Sequence, residues 1–512
     1  MSAAELLVEG GPILTLDPQR PQAEAVAVAD GRVLALDAAA RDAAGPRTRR
    51  LALAGAALLP GFIDAHTHLP EYGCRLAQPD LSAVGSLAAL LERLGTLARE
   101  RTAGEWLVAC GWDESRWPEG RMPTRRDLDA AVPHHPVLAY RVDMHMGVAN
   151  TAGLRRLGHS AASHPQGRLL EQELIEAYRR LAPDAEGRRE GLARAVEACH
   201  ARGVTAVHAT VSEDDLALLQ EARAGDGLDV RVAAYVLWEG GTPPARTPAG
   251  DGVDAWLAVR GAKLFADGSV GARSAAFRDG YADAPGWRPE PRLDVPALTE
   301  AMREAARRGL QVAVHCIGDA AVTATVDALD RADYPPRLRP RLEHMEWARD
   351  ADLSALRRRG GVASCQPNFV GRWGLAGGLY ERRLGLAYGG AHNRYRQVLA
   401  TGVPLAFGSD HMPFGPLYGL HWAVNAPQPA QRLTVAEALA AYTRGAAYAA
   451  FEENRQGMIR PGHHADLVAL SEDPRGAGPR LEQLRVVATV CGGVVRFDPE
   501  ARCAASRHGA RR

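Results

Sequence analysis

The sequence lacks the features that mark several classes of protein. Its 512 residues contain 61 Lys and Arg against 61 Asp and Glu, so the formal net charge is zero, and no long basic stripe indicates a nucleic-acid partner. No apolar run approaches the about 20 residues that a membrane helix needs. The first residues also lack the cationic and apolar regions of a secretion signal. These absences predict a cytoplasmic protein that binds neither nucleic acid nor membrane.

Cysteine is scarce and follows no ligand or disulfide spacing. The seven cysteines are scattered without a CxxC pair, which favours buried thiols in a reducing compartment over disulfides. What the sequence does have is an ordinary globular composition, with 46% hydrophobic and 24% charged residues. Because 512 residues exceed the about 250–300 at which single cores stop growing, we expect a large domain and at least one smaller unit.

Short β segments occupy both ends of the chain. An Asp30-Gly31 pair separates two of them, as in a hairpin. The simplest assembly is one small composite β-sandwich formed by residues 1–56 and 457–500, followed by a disordered tail at 501–512. Its predicted strands are 5–9, 12–16, 23–28, 32–36, 466–470, 486–490 and 494–497.

Residues 57–456 alternate apolar strand candidates with helical stretches. This rhythm predicts an α/β fold, specifically a (β/α)8 barrel of the TIM type. One long connection, residues 70–203, has helical stretches and an apolar strand of its own, so we expect an inserted lid or subdomain after the first barrel strand. The eight predicted barrel strands are 57–63, 204–208, 230–236, 258–265, 311–315, 341–344, 361–366 and 404–410.

Residues 60–70, PGFIDAHTHLP, place two histidines where the first barrel strand should end. Side chains alternate along a strand, so His66 and His68 face the same way. An isolated pair of this kind also occurs in polar loops, where it bonds to backbone. Functional groups of a TIM barrel lie at the C-terminal ends of its strands, and the other predicted strands bring Lys263, His315, His344 and Asp410 to that face. Imidazole and carboxylate ligands suit Zn²⁺, with one or two ions in each chain.

Motifs along nearly the whole chain resemble those of the amidohydrolase superfamily. The segments KLFADGSVGARSAAF, VHCIGDAAV, RLEHMEW, FGSDHMPFGPL and GMIRPGHHADLVAL follow PGFIDAHTHL in the order typical of its YtcJ-like branch, amidohydrolase family 3, which includes N-substituted formamide deformylases. Segments 110–129 and 135–154 are similar to the lid of that branch. The resemblance spans about residues 7 to 497.

This resemblance implies a binuclear metal centre. His66 and His68 would bind one metal with Asp410, while His315 and His344 bind the other, and Lys263 would bridge the two as a carbamate. In the alternative, Lys263 forms a buried ion pair with Asp267 or Asp410 and only one metal binds.

The chemistry expected of such a centre is hydrolysis. A metal-bound hydroxide would attack the substrate, because coordination lowers the pKa of water towards about 7. Asp410 would take the proton and deliver it to the leaving nitrogen. We expect Asp64 to make a supporting hydrogen bond rather than to bind metal.

Four further residues are candidates for substrate binding. His145, in the segment resembling the lid, could contact substrate or be structural. Arg273 could bind a substrate carboxylate or pair with a nearby acid. Trp112 could line a pocket, although packing in the lid core is the commoner role of such a residue. His411 follows Asp410 where the branch more often has an aromatic residue, and it could alter substrate choice or add a metal ligand.

The sequence therefore predicts a metal-dependent hydrolase that cleaves the C–N bond of an amide, an N-substituted formamide or a cyclic amide. Ester or lactone hydrolysis, or an isomerisation, on the same centre is the alternative within enzymes. A non-catalytic binding protein is a third reading, and the complete ligand set weighs against it. The partner expected is a small-molecule substrate, and a homodimer is compatible with the sequence.

Overall fold

A parallel barrel forms the centre of the computed structural model, which describes residues 3–225, 227–240, 243–246 and 254–504. Eight strands within these residues pair side by side in chain order, and the Asp410 N–H donates to the His66 carbonyl at 2.8 Å between the last and the first. The predicted TIM-type barrel is confirmed. Its strands are Phe62–Thr67, Val204–Val211, Arg231–Leu237, Leu257–Phe265, Gln311–Cys316, Arg341–His344, Val362–Cys365 and Leu405–Phe407.

The prediction for the first barrel strand, residues 57–63, was wrong in its bounds. Ala57–Pro60 pairs instead with Leu467–Leu470 in the sheet of the chain ends, and the barrel strand is Phe62–Thr67. Gly61 lies between the two strands, and glycine is needed there because a Cβ would lie only 2.2 Å from the hydroxyl oxygen of Thr205. His66 therefore lies inside the strand and is fixed by its pairing.

Amphipathic helices cover the barrel. Helix Val295–Arg307 shows why they form: Asp294 caps its first turn by accepting the Ala297 N–H at 2.8 Å, and one face buries Leu298 and Met302. The other helices of the barrel layer are Leu69–Arg75, Ala185–Ala201, Glu213–Ala224, Asp319–Arg331, Asp350–Arg358, Asn368–Trp373, Leu379–Gly389, Tyr395–Thr401, Pro416–Val424, Val435–Ala440 and Ala446–Ala449.

The long connection after the first barrel strand has a sheet of its own. Four strands form it in the described chain, namely Leu107–Trp112, Val137–Arg141, Met146–Ala149 and Arg168–Leu170. Helices Leu87–Arg99, Arg125–Ala131, Thr151–Arg156 and Glu171–Arg180 accompany this sheet. The predicted insertion, 70–203, also includes helices Leu69–Arg75 and Ala185–Ala201, which pack together in the barrel core through Gly73 and Gly191.

Strands from both chain ends meet in one sheet, which has nine strands in the part of the chain described. Its strands are Leu6–Asp17, Arg20–Ala29, Arg32–Leu36, Arg49–Ala52, Ala57–Pro60, Leu467–Leu470, Val486–Cys491, Val494–Phe497 and Cys503–Ala504, and helix Asp37–Asp42 follows the third. Of the tail predicted to be disordered, Cys503–Ala504 pairs with Arg49–Ala52, and residues 505–512 lie outside the described residues. No described helix is both long and apolar enough to cross a membrane.

Candidate metal centre and active site

Three of the predicted ligands meet at the mouth of the barrel. The ligand atoms of His66, His68 and Asp410 all lie within 4.8 Å of one another. The Nε2 atoms of the two histidines are 3.8 and 3.7 Å from Asp410 Oδ1. Asp410 follows the last barrel strand in a left-handed conformation, with φ +49°, which turns it back towards the first strand. This group can hold one metal ion.

The other two predicted histidines complete the cluster. The rings of His315 and His344 lie 4.4 Å apart, and His344 lies 4.8 Å from the ring of His66. His315 belongs to strand Gln311–Cys316 and His344 ends strand Arg341–His344, so neighbouring strands deliver them side by side. Four imidazoles from three strands therefore face a common point.

Hydrogen bonds fix which nitrogen each histidine offers to a metal. His66 donates from Nδ1 to Glu343 at 2.8 Å, and His344 donates from Nδ1 to the Gln366 side-chain oxygen at 2.8 Å. His315 instead donates from Nε2 to the Gly268 carbonyl at 3.1 Å. The nitrogens left with free lone pairs are Nε2 of His66 and His344 and Nδ1 of His315, as ligand histidines require.

Burial keeps these imidazoles neutral. It lowers the pKa of His66 to about 4, with the Lys263 charge acting in the same direction. Desolvation also holds the pKa values of His68, His315 and His344 well below their usual range. Neutral imidazole is the form that binds metal, so the cluster is ready to coordinate at neutral pH.

Lys263 lies beside these ligands and is unsatisfied. Its side chain is 1% exposed, and its Nζ has no hydrogen-bond partner among the described residues. Asp267, one partner considered for an ion pair, is instead bonded at 2.9 Å to the backbone N–H groups of Ala276, Ile317 and Gly318. Burial lowers the pKa of Lys263 to about 8, which favours the neutral amine that reacts with CO₂. An orphaned amine among ligands fits a bridging carbamate.

Buried carboxylates hold the predicted metal ligands in place through hydrogen bonds. Asp64 accepts hydrogen bonds from the backbone N–H groups of Ser409 at 2.9 Å and His66 at 3.1 Å, so it has the supporting role expected of it. Burial alone would raise the pKa of Glu343, but Arg341 and His66 outweigh burial and hold that pKa well below its usual range. The Arg341 Nε bonds Glu343 at 2.9 Å.

Two of the predicted substrate residues line the cavity over this centre. His145 bonds through Nδ1 to the Glu171 carboxylate at 3.0 Å. Burial alone would lower the pKa of His145, but Glu171 outweighs it and raises the value to about 9. His411 stacks on Tyr72 at 5.4 Å, and neither of its ring nitrogens has a described hydrogen-bond partner.

The other two lie away from the cavity. Arg273 bonds Asp283 at 2.7 and 3.0 Å, so it is ion-paired and does not line the described cavity. Trp112 is fully buried in the core of the insertion and donates its indole N–H to the Ala139 carbonyl at 3.0 Å. The structure thus places both residues outside the lining of this cavity, with the ion-paired and core-packed roles that were the alternatives. Arg292, which sequence reasoning missed, lines the cavity instead.

Two cavities of unequal size meet at the ligand cluster. The larger has a volume of about 370 Å³ between the barrel mouth and the insertion. The smaller has only about 30 Å³. Apolar side chains line much of both: Tyr140, Leu174, Tyr178, Leu237 and Phe265 the larger, Val270, Ile317, Phe369, Trp373 and Leu379 the smaller. Charged residues also line the larger cavity, namely Glu71, Arg179, Arg188, Asp214, Asp215, Glu239 and Arg292. Both cavities are bordered by Asp143, His145, His315, His344, Asp410 and Met412.

A TIM-type barrel with neutral histidines, a carboxylate and an unpaired lysine at its C-terminal face defines a metal-dependent hydrolase. The particular family follows from comparison. Residues 51–497 match the Amidohydrolase family model, and the chain belongs to that family.

Relatives of known name agree with this assignment. The chain is 28% identical to the candidate amidohydrolase YtcJ of Bacillus subtilis, covering 96% of this chain and 98% of that protein. It is 26% identical to the N-substituted formamide deformylase of Arthrobacter pascens, with the same coverage of 96% and 98%. The resemblance to the YtcJ-like branch is confirmed.

Solved structures show the same architecture. An uncharacterized metal-dependent hydrolase from Pyrococcus horikoshii OT3 superposes with a TM-score of 0.75 at 26% identity, covering 93% of this chain and 99% of that one. A similar protein from Pyrococcus furiosus gives a TM-score of 0.73 at 27% identity, covering 92% of this chain and 99% of that one.

Proposed function

We propose that the protein hydrolyses the C–N bond of an N-substituted formamide. The observation that carries the proposal is the unequal pair of cavities that meet at the ligand cluster, about 370 and 30 Å³. A carbonyl carbon at their junction has room for a hydrogen or a methyl group on one side and for a large apolar substituent on the other. That shape suits a small acyl group on a bulky amine, and the deformylase among the relatives supports it.

The donor set suits Zn²⁺ or a similar divalent ion. His66, His68 and Asp410 would hold one ion, and His315 with His344 a second, with carboxylated Lys263 between them. Such ions, when bound, lower the pKa of water and polarise a carbonyl group.

The protein's own part in the reaction falls to Asp410 and the cavity walls. The Asp410 carboxylate lies at the junction of both cavities, where it can accept a proton from the attacking water and pass it to the leaving nitrogen. An amine leaves poorly unless it is protonated, so this delivery matters more for an amide than for an ester. The apolar walls orient the substituent and limit competing water.

A substrate series tests the proposal. The purified protein is loaded with Zn²⁺ and given N-(2-phenylethyl)formamide, the matching acetamide and the matching benzamide, with amine release as the readout. We expect the formamide to react fastest, the acetamide more slowly and the benzamide not at all, because its phenyl group exceeds a cavity of about 30 Å³. Equal turnover of all three would overturn the steric argument.

Esters and lactones provide the contrast. Turnover of δ-valerolactone or phenylethyl formate without turnover of the formamide would favour the ester and lactone alternative. Removing metal with a chelator, and restoring it, is the control that ties any turnover to the metal centre.

A further inference from the structure

The insertion contributes a histidine and a carboxylate that act as a unit beside the metal ligands. His145 Nδ1 lies 3.0 and 3.2 Å from the two Glu171 oxygens, and the backbone N–H of Glu171 donates to the His145 carbonyl at 3.1 Å. The two residues are thus joined through both side chain and backbone. Because a carboxylate only accepts hydrogen bonds, Nδ1 carries a proton and Nε2 is the nitrogen that remains for another partner.

Glu171 is itself held by groups of the barrel. Its Oε1 accepts a hydrogen bond from Ser274 Oγ at 2.5 Å, and Arg292 Nη1 lies 3.5 Å from its Oε2. Ser274 and Arg292 both follow barrel strand Leu257–Phe265. The insertion and the barrel together fix the carboxylate, and through it the plane of the imidazole.

The imidazole of His145 lies beside the junction of the two cavities, where the proposed function would place the scissile bond. His145 borders both the large and the small cavity, and its ring is 5.6 Å from that of His315. His145 comes from the loop between strands Val137–Arg141 and Met146–Ala149, so the insertion and not the barrel supplies this imidazole. A substrate carbonyl at the junction would lie between His145 and the metal centre.

We propose that His145 is a catalytic residue, which donates a hydrogen bond from Nε2 to the substrate's carbonyl oxygen as negative charge develops there, and that Glu171 is its positioning residue. This inference rests on the proposed hydrolytic function. A carboxylate that accepts a hydrogen bond from one imidazole nitrogen fixes the ring, and it stabilises the imidazolium in which Nε2 holds the proton that bonds the oxygen. Donors aimed at developing charge contribute more to kcat than to substrate affinity.

The test compares His145→Asn and Glu171→Gln with matched control variants from the same insertion. His134→Asn and Glu176→Gln are suitable controls, because both residues are exposed and lie outside the two cavities, and Glu176 shares the helix of Glu171. For each variant, metals per chain, melting temperature, kcat and KM are measured with N-(2-phenylethyl)formamide and with p-nitrophenyl acetate.

We expect His145→Asn to lower kcat by about 100- to 1,000-fold and Glu171→Gln by about 10- to 100-fold. KM, metal content and melting temperature should change little, and the controls should match the wild type. A wild-type kcat in His145→Asn, or a loss that follows metal content or melting temperature, would overturn the inference.

The two substrates separate this inference from the proposed function. Wild-type turnover of the ester but not of the formamide would reject the deformylase proposal. The same loss of kcat in His145→Asn is then still expected with the ester, because the carbonyl oxygen is common to both substrates. Failure of the metal-loaded wild type on both substrates would overturn both proposals.

Discussion

At the scale of single residues, the Lys263 side chain lies in a buried position that disfavours its charged form. Its amine is buried without a described hydrogen-bond partner, and its pKa is lowered to about 8. An unpaired buried ammonium destabilises the fold, whereas a carbamate would satisfy the site by binding metal. The residue therefore makes physical sense as a ligand precursor.

Replacement of Lys263 by alanine should lower bound metal from about two ions per chain to one or none, as expected for loss of a bridging ligand. Elemental analysis of both proteins, prepared with bicarbonate and Zn²⁺, gives the measurement. ¹³C NMR after exchange with labelled bicarbonate should show a carbamate signal in the wild type alone. Two ions retained in Lys263→Ala would contradict the bridging role.

Glu343 joins the metal ligands to the barrel core, since it bonds His66 on one side and Arg341 on the other. Glu343→Gln should weaken metal affinity about 10- to 100-fold, because the ligand loses its charged partner. It should also lower the free energy of unfolding by about 3–5 kcal/mol, because Arg341 is left buried without its counter-charge.

Competition with a chromogenic chelator and urea denaturation measure these two effects of Glu343→Gln. Glu300→Gln, on the exposed face of helix Val295–Arg307, is the control and should change neither. Unchanged metal affinity would mean that the bond to His66 has no bearing on coordination.

At the scale of elements, regular patterns were predictable from the sequence and long-range partners were not. Strand alternation and the TIM-type rhythm were enough to bring His66, His68, His315, His344 and Asp410 to one face. Glu171 carried no such signal. It begins an ordinary amphipathic helix, and only tertiary folding brings its carboxylate to His145, 26 residues earlier in the chain.

The bounds of the strands were less predictable from the sequence than the positions of the ligand residues. The apolar run at residues 57–63 has no polar break, and its division between two sheets at Gly61 follows from long-range strand pairing. Likewise, Arg273 could not be assigned from its neighbours in sequence, because its partner Asp283 reaches it through a loop.

Helix Val435–Ala440 begins with the capping box that the sequence predicts, in which Thr434 and Glu437 bond each other's backbone N–H groups. Glu437 also bonds Arg396 at 2.6 Å, and this bond, with those from Thr434, lowers the pKa of Glu437 to about 2. Because the folded pKa is below the ordinary value of 4.5, Glu437 stabilises the fold above about pH 4.5, and this contribution is lost as pH falls towards 2.

Glu437→Gln should therefore lower the melting temperature at pH 7 and have progressively less effect between pH 4.5 and 2. Thermal unfolding at a series of pH values measures the difference from the wild type, with exposed Glu92→Gln as the control. A difference that stays constant across this range would contradict the assignment to the ionised carboxylate.

At the scale of the whole molecule, buried ion pairs connect units that are far apart in sequence. Arg231 of the barrel bonds Asp466 beside the terminal sheet at 2.7 and 3.1 Å. Arg141 of the insertion is fully buried and bonds Asp113, Glu114 and Asp143 at 2.8–3.1 Å. The Arg231–Asp466 pair joins two units and fails if one of them shifts, whereas the Arg141 pairs join segments within the insertion.

The Arg141 cluster also reaches the barrel. Asp143 accepts a hydrogen bond from Ser269 at 3.0 Å, and Asp113 accepts one from the Trp373 indole at 3.2 Å. Asp143 lies two residues before His145 and borders both cavities. One guanidinium thus holds the carboxylates through which this part of the insertion bonds the barrel.

Arg141→Lys tests this role, because an ammonium keeps the charge but cannot match three carboxylates with the planar fork of a guanidinium. We expect the free energy of unfolding to fall by about 1–3 kcal/mol. Activity should fall as well, since His145 shifts with Asp143. Metal content should stay at the wild-type value, because all the proposed metal ligands belong to the barrel.

Arg121→Lys is the control, because half-exposed Arg121 pairs with Asp127 in the same insertion. It should lower the free energy of unfolding by less than about 1 kcal/mol. Loss of metal in Arg141→Lys would show that the insertion supports the ligands directly, whereas loss of activity with metal retained would assign it to substrate positioning.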